Sequence, residues 1–263
     1  ILLHEGPPSP ELAEHYFTLR DTMLGSLKFT VMLVKSSRLE RRSDGNWALR
    51  TEDVYQRFSI CEDEDYVLKE PSAGECSGVV LSKNTILTAR HCFKKFHRDG
   101  RDARFVFDFA VGADGQVPTS LPAAAVLQGK VALRGEGLEN DWVIFRTSTE
   151  IPAHRIPRLS SRASEALFAA GYPLGAPFKL IRQGKLLKSD ETRLFTDLDA
   201  YQGTSGAPVF NLRGDLEAIV VLGGRYFDQK GPCVKTRVCA PPGCRAEEAF
   251  RLSAVLRQMK GLL

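Results

Sequence analysis

Gly203-Thr204-Ser205-Gly206-Ala207-Pro208-Val209-Phe210 sets one serine between two glycines and then runs into an apolar strand. A tight loop of this kind presents a serine hydroxyl, and its glycines let backbone N–H groups approach a reacting carbonyl. Serine is a poor nucleophile at neutral pH and needs a base beside it. Imidazole, with an ordinary pKa of about 6.5, can take that proton and return it. A carboxylate is then needed to fix the imidazole tautomer and to stabilise the imidazolium. Both partners stand upstream. Leu87-Thr88-Ala89-Arg90-His91-Cys92 ends an apolar strand in a histidine, and Asn140-Asp141-Trp142-Val143-Ile144-Phe145 sets an aspartate before another apolar run.

The expected roles are Ser205 as nucleophile, His91 as general base and then acid, and Asp141 as the group that orients it. The amides of Gly203 and Ser205 are the candidate oxyanion hole. The chain order His, Asp, Ser is that of the chymotrypsin-type triad, not of subtilisin or the α/β-hydrolases. An α/β-hydrolase elbow also needs Gly-x-Ser-x-Gly between a strand and a helix. Here Ala207 takes the last position and Pro208-Val209-Phe210 continues as strand. Cys76 opens the strand Cys76-Ser77-Gly78-Val79-Val80-Leu81, and Cys92 follows His91 directly. That spacing suits a Cys76–Cys92 disulfide pinning the histidine loop, with a chain-entropy contribution of about 3 kcal/mol.

The segment from Cys76 to Cys92 resembles the histidine segment of trypsin-like serine peptidases. Other pieces are more similar to the bacterial branch of that family, related to the glutamyl endopeptidases. They are Cys61-Glu62-Asp63-Glu64, Gly171-Tyr172-Pro173-Leu174-Gly175-Ala176-Pro177, Asp197-Leu198-Asp199 and Gly243-Cys244-Arg245-Ala246-Glu247-Glu248. The resemblance covers about residues 55 to 250. It implies an all-β fold of two six-stranded antiparallel barrels with the site in the cleft between them. Thr204 and Ala207 depart from the Asn and Ser of many bacterial members, Arg90 from a small residue, and Val221 from a serine near the buried aspartate. These departures bear on efficiency and remove no reacting group. Thr204 also stands where trypsin-like zymogens carry the aspartate that pairs with a newly made amine. Ile1 is therefore read as a boundary, and activity is expected not to need its amine.

The resemblance places the selectivity pocket between the segment before Ser205 and the strand Ala218 to Gly224. Its candidate residues are Asp199, Gln202, Leu222, Gly223 and Gly224. An acid at Asp199 would pair with Arg or Lys of a substrate, or else belongs to a local turn. Glutamate selectivity needs a cation on the strand, which is apolar here, and Arg225 is expected to face solvent. Gly223 and Gly224 leave an open wall and a backbone edge to which an extended peptide can add. Gln202 is expected at the rim.

The length of 263 residues fits one two-barrel unit with an extension, and 43% hydrophobic residues suffice for a sizeable core. Six cysteines point to an oxidising compartment. Cys61 is expected to pair with Cys233, Cys239 or Cys244, the choice being open. Cys233-x5-Cys239-x4-Cys244 lacks a Cys-x2-Cys knuckle and a nearby histidine, so no metal is expected, and no cofactor. With no eighteen-residue apolar run, a transmembrane helix is not expected. No signal peptide is visible, so export would mean that one has been removed. The net charge is +4. The basic clusters Arg38, Arg41, Arg42 and Lys94, Lys95, Arg98, Arg101, Arg104 read as solvated loops without nucleic-acid motifs.

Three regions are expected: an N-terminal extension over 1–50, a first barrel over 51–150 with His91 and Asp141, and a second over 151–263 with Ser205. In the extension, Ser9-Pro10-Glu11 starts a helix that Gly25 ends, a strand covers 29–34, and 38–46 is a polar loop. Strands are predicted over 77–81, 85–88, 104–111 and 142–146, then over 166–170, 179–189, 193–196, 207–211 and 216–222. Phe250, Val255, Leu256 and Met259 predict a C-terminal helix over 246–263. The expected protein is a monomeric serine endopeptidase, secreted or periplasmic, acting on protein or peptide substrates through an acyl-enzyme. The alternatives are a narrow-specificity or latent processing protease, or a non-catalytic binding module.

Overall fold

The computed structural model describes residues 10–64, 69–97, 99–137, 139–224, 226–237 and 246–260. Ile1, Arg98, Arg225, Cys239, Cys244 and the start of the Gly243-Cys244-Arg245 motif lie outside the described residues.

Helix α1 (Pro10–Gly25) begins at the predicted proline and ends at the predicted glycine. The first barrel is built from β1 (Thr30–Lys35), β2 (Cys76–Ser82), β3 (Thr85–Thr88), β4 (Ala103–Val106), β5 (Val126–Arg134) and β6 (Val143–Thr147). The second is built from β7 (Ala166–Gly171), β8 (Lys179–Ser189), β9 (Arg193–Thr196), β10 (Pro208–Asn211), β11 (Leu216–Leu222) and β12 (Glu247–Arg251). Both barrels are closed, six-stranded and antiparallel, and both follow the order 1-2-3-6-5-4 in their own strands. Closure removes the unpaired edges that open sheets expose. Helix α2 (Val54–Phe58) precedes β2, and α3 (Leu252–Lys260) follows β12. The Asp53 carboxylate caps α2 by accepting the Tyr55 amide at 2.9 Å.

The structure differs from the sequence reading at several places. β1 lies within the stretch assigned to an extension, so the first barrel begins near Thr30 and not at residue 51. Its run Thr-Val-Met-Leu-Val is buried throughout and pairs with both β2 and β4. The stretch read as a polar loop over 38–46 holds the first strand and the turn of a hairpin, Leu39–Arg41 with Trp47–Leu49, to which Ser120–Leu121 adds. β4 is shorter than predicted, because the chain turns at Asp108 with a φ of 60°. The stretch read as the start of the C-terminal helix is instead β12. Phe250 has helical spacing to Val255 and Leu256, but Glu247–Arg251 is the segment that closes the second barrel between β9 and β11. Non-local pairing overrides local periodicity there.

One apolar cluster runs across both barrels, and another belongs to the second barrel alone. In the shared cluster, Phe105 and Phe145 pack inside the first barrel, while Phe168, Phe210 and Phe250 belong to the second, and all join Val255 of α3. The disulfide Cys61–Cys233 ties the segment after α2 to a hairpin of Phe227–Lys230 and Cys233–Thr236. This is the pairing that the sequence left open. Among the described residues, no helix is long and apolar enough to cross a membrane.

Candidate active site

β3 delivers Ala89 to the cleft and a short 3-10 turn over Arg90–Lys95 carries His91. The Cys76–Cys92 disulfide joins the residue after His91 to the start of β2, as the spacing suggested. Asp141 precedes β6, whose pairing with β3 sets Val143 opposite Thr88. Two adjacent strands of one barrel thus bring His91 and Asp141 together. Asp141 Oδ1 accepts the His91 amide at 2.8 Å, and Oδ2 lies 2.7 Å from His91 Nδ1. An ionised carboxylate only accepts, so Nδ1 carries the proton and Nε2 of the neutral ring is free to accept. Ser205 Oγ lies 2.7 Å from that Nε2.

Burial by itself pushes the Asp141 carboxyl up. The hydrogen bond and charge of His91, with the His91 amide and the nearby Arg90, outweigh it and hold the carboxyl below its ordinary value. Val221 has no donor to offer Asp141, which takes a backbone hydrogen bond from the His91 amide. Asp141 is also braced from behind. The neighbouring Trp142 is fully buried, and its indole N–H donates to Gln258 Oε1 of α3 at 2.6 Å. Gln258 in turn donates to Asn140 Oδ1 at 2.7 Å.

The serine loop is fixed through its carbonyls. Tyr201 C=O accepts from Thr204 N and Oγ1, Gln202 C=O from Leu174 N, and Thr204 C=O from Ala207 N. Gly203 C=O accepts from Ser77 Oγ at 2.9 Å, and Ser205 C=O from Ser77 N at 2.9 Å. Every carbonyl from Tyr201 to Ser205 is engaged. Among the described residues, the amides of Gly203 and Ser205 have no intramolecular acceptor. Gly203 has a φ of 96° and Gly206 one of 82°, a region that costs side-chain-bearing residues energy. At Gly206 space is also lacking, since a Cβ would lie 2.1 Å from Thr88 Oγ1 and 2.3 Å from Ser77 O. Thr204 is buried and shapes the loop by its bonds to Tyr201, without an ion pair.

Ser77 was not singled out in the sequence. Besides its bonds to the serine loop, its hydroxyl accepts the Tyr172 amide at 2.9 Å. It lies in β2 of the first barrel and holds segments of the second. The Cys-Ser-Gly context gave no signal of this, because the partners are about a hundred residues away or more.

A cleft of about 390 Å³ opens over Ser205, a size typical of ligand sites. His91, Asp141, Gln202, Leu222 and Gly223 line it, together with Tyr201 and Tyr226. Asp199 and Gly224 do not. Asp199 is an exposed residue whose carboxyl is pushed up by partial desolvation and whose charge acts on Tyr201 and Tyr226. The Gly224 amide turns away to Glu247. Arg90 neither displaces His91 nor points away from the site: it lines the cleft and donates to Gly135 C=O at 3.1 Å. Lys94, read as part of a solvated run, lines the cleft too.

These features define a two-barrel fold with a hydrogen-bonded Asp–His–Ser chain where the barrels meet. A family profile described as a trypsin-like peptidase domain matches residues 76–219, more than half of the chain. The chain belongs to that family. Among solved structures it is similar to the serine endoprotease from Yersinia pestis, at 16% identity and a TM-score of 0.53. The likeness covers 93% of this chain and 66% of that one, just under two thirds of its length. At that identity it shows the fold, which is chymotrypsin-like. Neither match singles out the branch related to the glutamyl endopeptidases. No curated protein matches the chain.

Proposed function

We propose that this peptidase-family chain is an active serine endopeptidase, with Ser205, His91 and Asp141 as its reacting and orienting groups. The observation that carries the reading is the continuous hydrogen-bond chain from Asp141 through His91 to Ser205. Ser205 Oγ attacks the scissile carbonyl carbon while its proton passes to His91 Nε2. The carbonyl oxygen, now negative, is received by the amides of Gly203 and Ser205. Collapse expels the amine, which takes the proton from His91 and leaves an acyl-serine. Water then repeats the sequence and releases the acid.

An extended peptide is expected to lie along Leu222–Gly223, with Gln202 at the rim. The disulfides Cys61–Cys233 and Cys76–Cys92 favour an oxidising compartment, and so a secreted or periplasmic enzyme. Because Thr204 sets the loop through Tyr201, no new N-terminal amine is needed for activity. The test is intact mass after a fluorophosphonate probe. A single adduct on the wild type and none on Ser205→Ala is expected. No adduct on either protein overturns the reading.

A further inference from the structure

Tyr201 and Gln202 form one wall of the cleft beside Ser205, and Val220 to Gly223 form the other. Between them stands Tyr226. Its ring stacks on Tyr201, with centroids 5.2 Å apart and planes 29° from parallel. Its hydroxyl donates to the carboxylate of Glu247, 2.6 Å from Oε1 and 2.7 Å from Oε2. Glu247 is 5% exposed at the start of β12, and its Oε1 also accepts the Gly224 amide at 3.2 Å. Desolvation, then the hydrogen bond and charge of Glu247, push the Tyr226 phenol far above its ordinary range, so it stays a neutral donor.

Tyr226 reaches Glu247 by passing against Gly223. A Cβ on Gly223 would lie 1.5 Å from the Tyr226 hydroxyl and 2.3 Å from Glu247 Oε2. The missing side chain does not leave an open wall; the tyrosine fills it. The chain after Tyr226 is anchored as well. Phe227 meets the Tyr201 ring at 6.0 Å, and the hairpin that Phe227 opens is tied down by Cys61–Cys233. The ring is therefore held by its stack, by its hydroxyl and by the chain behind it.

Resting on the peptidase reading, we propose that Tyr226 sets the selectivity of this site. Its ring occupies the base of the pocket for the substrate side chain before the scissile bond and limits that side chain to alanine size. Tyr226 is a specificity residue that touches substrate, and Glu247 is the residue that positions it. The substrate class is protein segments cleaved after small residues. Asp199 does not line the cleft, and the two tyrosines on which its charge acts do.

The test is kcat/KM on peptides carrying Ala, Leu, Phe or Lys before the scissile bond. The proteins are the wild type, Tyr226→Gly, and Tyr226→Leu, which keeps an apolar contact with Tyr201 but cannot reach Glu247. Each is also treated with the fluorophosphonate probe, which reports Ser205 without a side chain in the pocket. The wild type is expected to prefer Ala over Leu and Phe by at least about tenfold, since one methylene in a pocket already changes rates by about 10- to 200-fold. In Tyr226→Gly, and less strongly in Tyr226→Leu, the Leu-to-Ala ratio is expected to rise by at least about tenfold. Proteins that take the probe but keep one unchanged ratio overturn the role of Tyr226. Failure of the wild type to take the probe overturns the peptidase reading, and this inference with it.

Discussion

The first barrel carries both His91 and Asp141, on a loop and a strand end that its own ladder and its own disulfide hold in register. The second barrel has the same strand order, yet it contributes only Ser205 to the hydrogen-bond chain, on a loop whose carbonyls are tied by partners from both barrels. The proposed acid–base pair is thus a property of one body. The contact of the proposed nucleophile, Ser205, with Nε2 is a property of how two bodies dock. Around the serine loop the seam between them is polar and specific, with Ser77 bonding Gly203, Ser205 and Tyr172, and Ser72 Oγ donating to Leu174 C=O at 2.5 Å. Identical topology does not produce identical duties, because the loops and not the ladders carry the chemistry.

Removing the nucleophile tests the second barrel most severely. Ser205→Ala is expected to lower kcat by about a millionfold while the melting temperature stays within a few degrees. A peptide assay with a thermal melt checks both. In the first barrel, Asp141→Asn keeps the shape but reverses the hydrogen-bond polarity toward Nδ1. About a ten-thousandfold fall in kcat is expected, and a value near wild type would mean that His91 needs no orienting carboxylate.

The seam itself is reached through Ser77→Ala. The change leaves Gly203 C=O and the Tyr172 amide without their side-chain partner, and each buried unpaired group costs about 1–3 kcal/mol. We expect a kcat lower by about tenfold or more, with KM little changed, because the loop amides are needed most in the transition state. An equal loss in both barrels' stability with kcat intact would show that Ser77 only holds the fold.

The smallest effect is one of pH. The folded Asp141 carboxyl lies below its ordinary value, so its stabilising contribution is fully present above about pH 4 and is lost as the pH falls through the lower folded value. Melting curves of wild type and Asp141→Asn should keep a constant separation from pH 7 to about pH 4 and converge below that. Convergence already at pH 6 would contradict the depressed carboxyl.

Much of this was legible without coordinates. The strands β3, β8, β9 and β11 have their predicted bounds, and the three residues His91, Asp141 and Ser205 meet as their order implied. Each of those signals is local: alternating apolar residues, a glycine-bounded serine, a histidine at a strand end. Two of the misses share a cause. β1 and β12 were assigned elsewhere because nothing near them in sequence says that they close a barrel. β5 went unread because Gly129 and its interleaved Lys and Arg residues break the apolar alternation.

The pocket divides along the same line. Gly223, Leu222 and Gln202 were placed on the cleft by the resemblance, and they line it. The resemblance could not show that Tyr226 would stand between them, since its place depends on a ring stacked from the serine loop and a carboxylate from the last strand of the barrel. The sequence by itself determined the chemistry on offer: which residue types follow which strands, and in what order. Only the tertiary structure decided the space around that chemistry, because shape arises where side chains from distant segments exclude one another, and exclusion leaves no periodic trace in the chain.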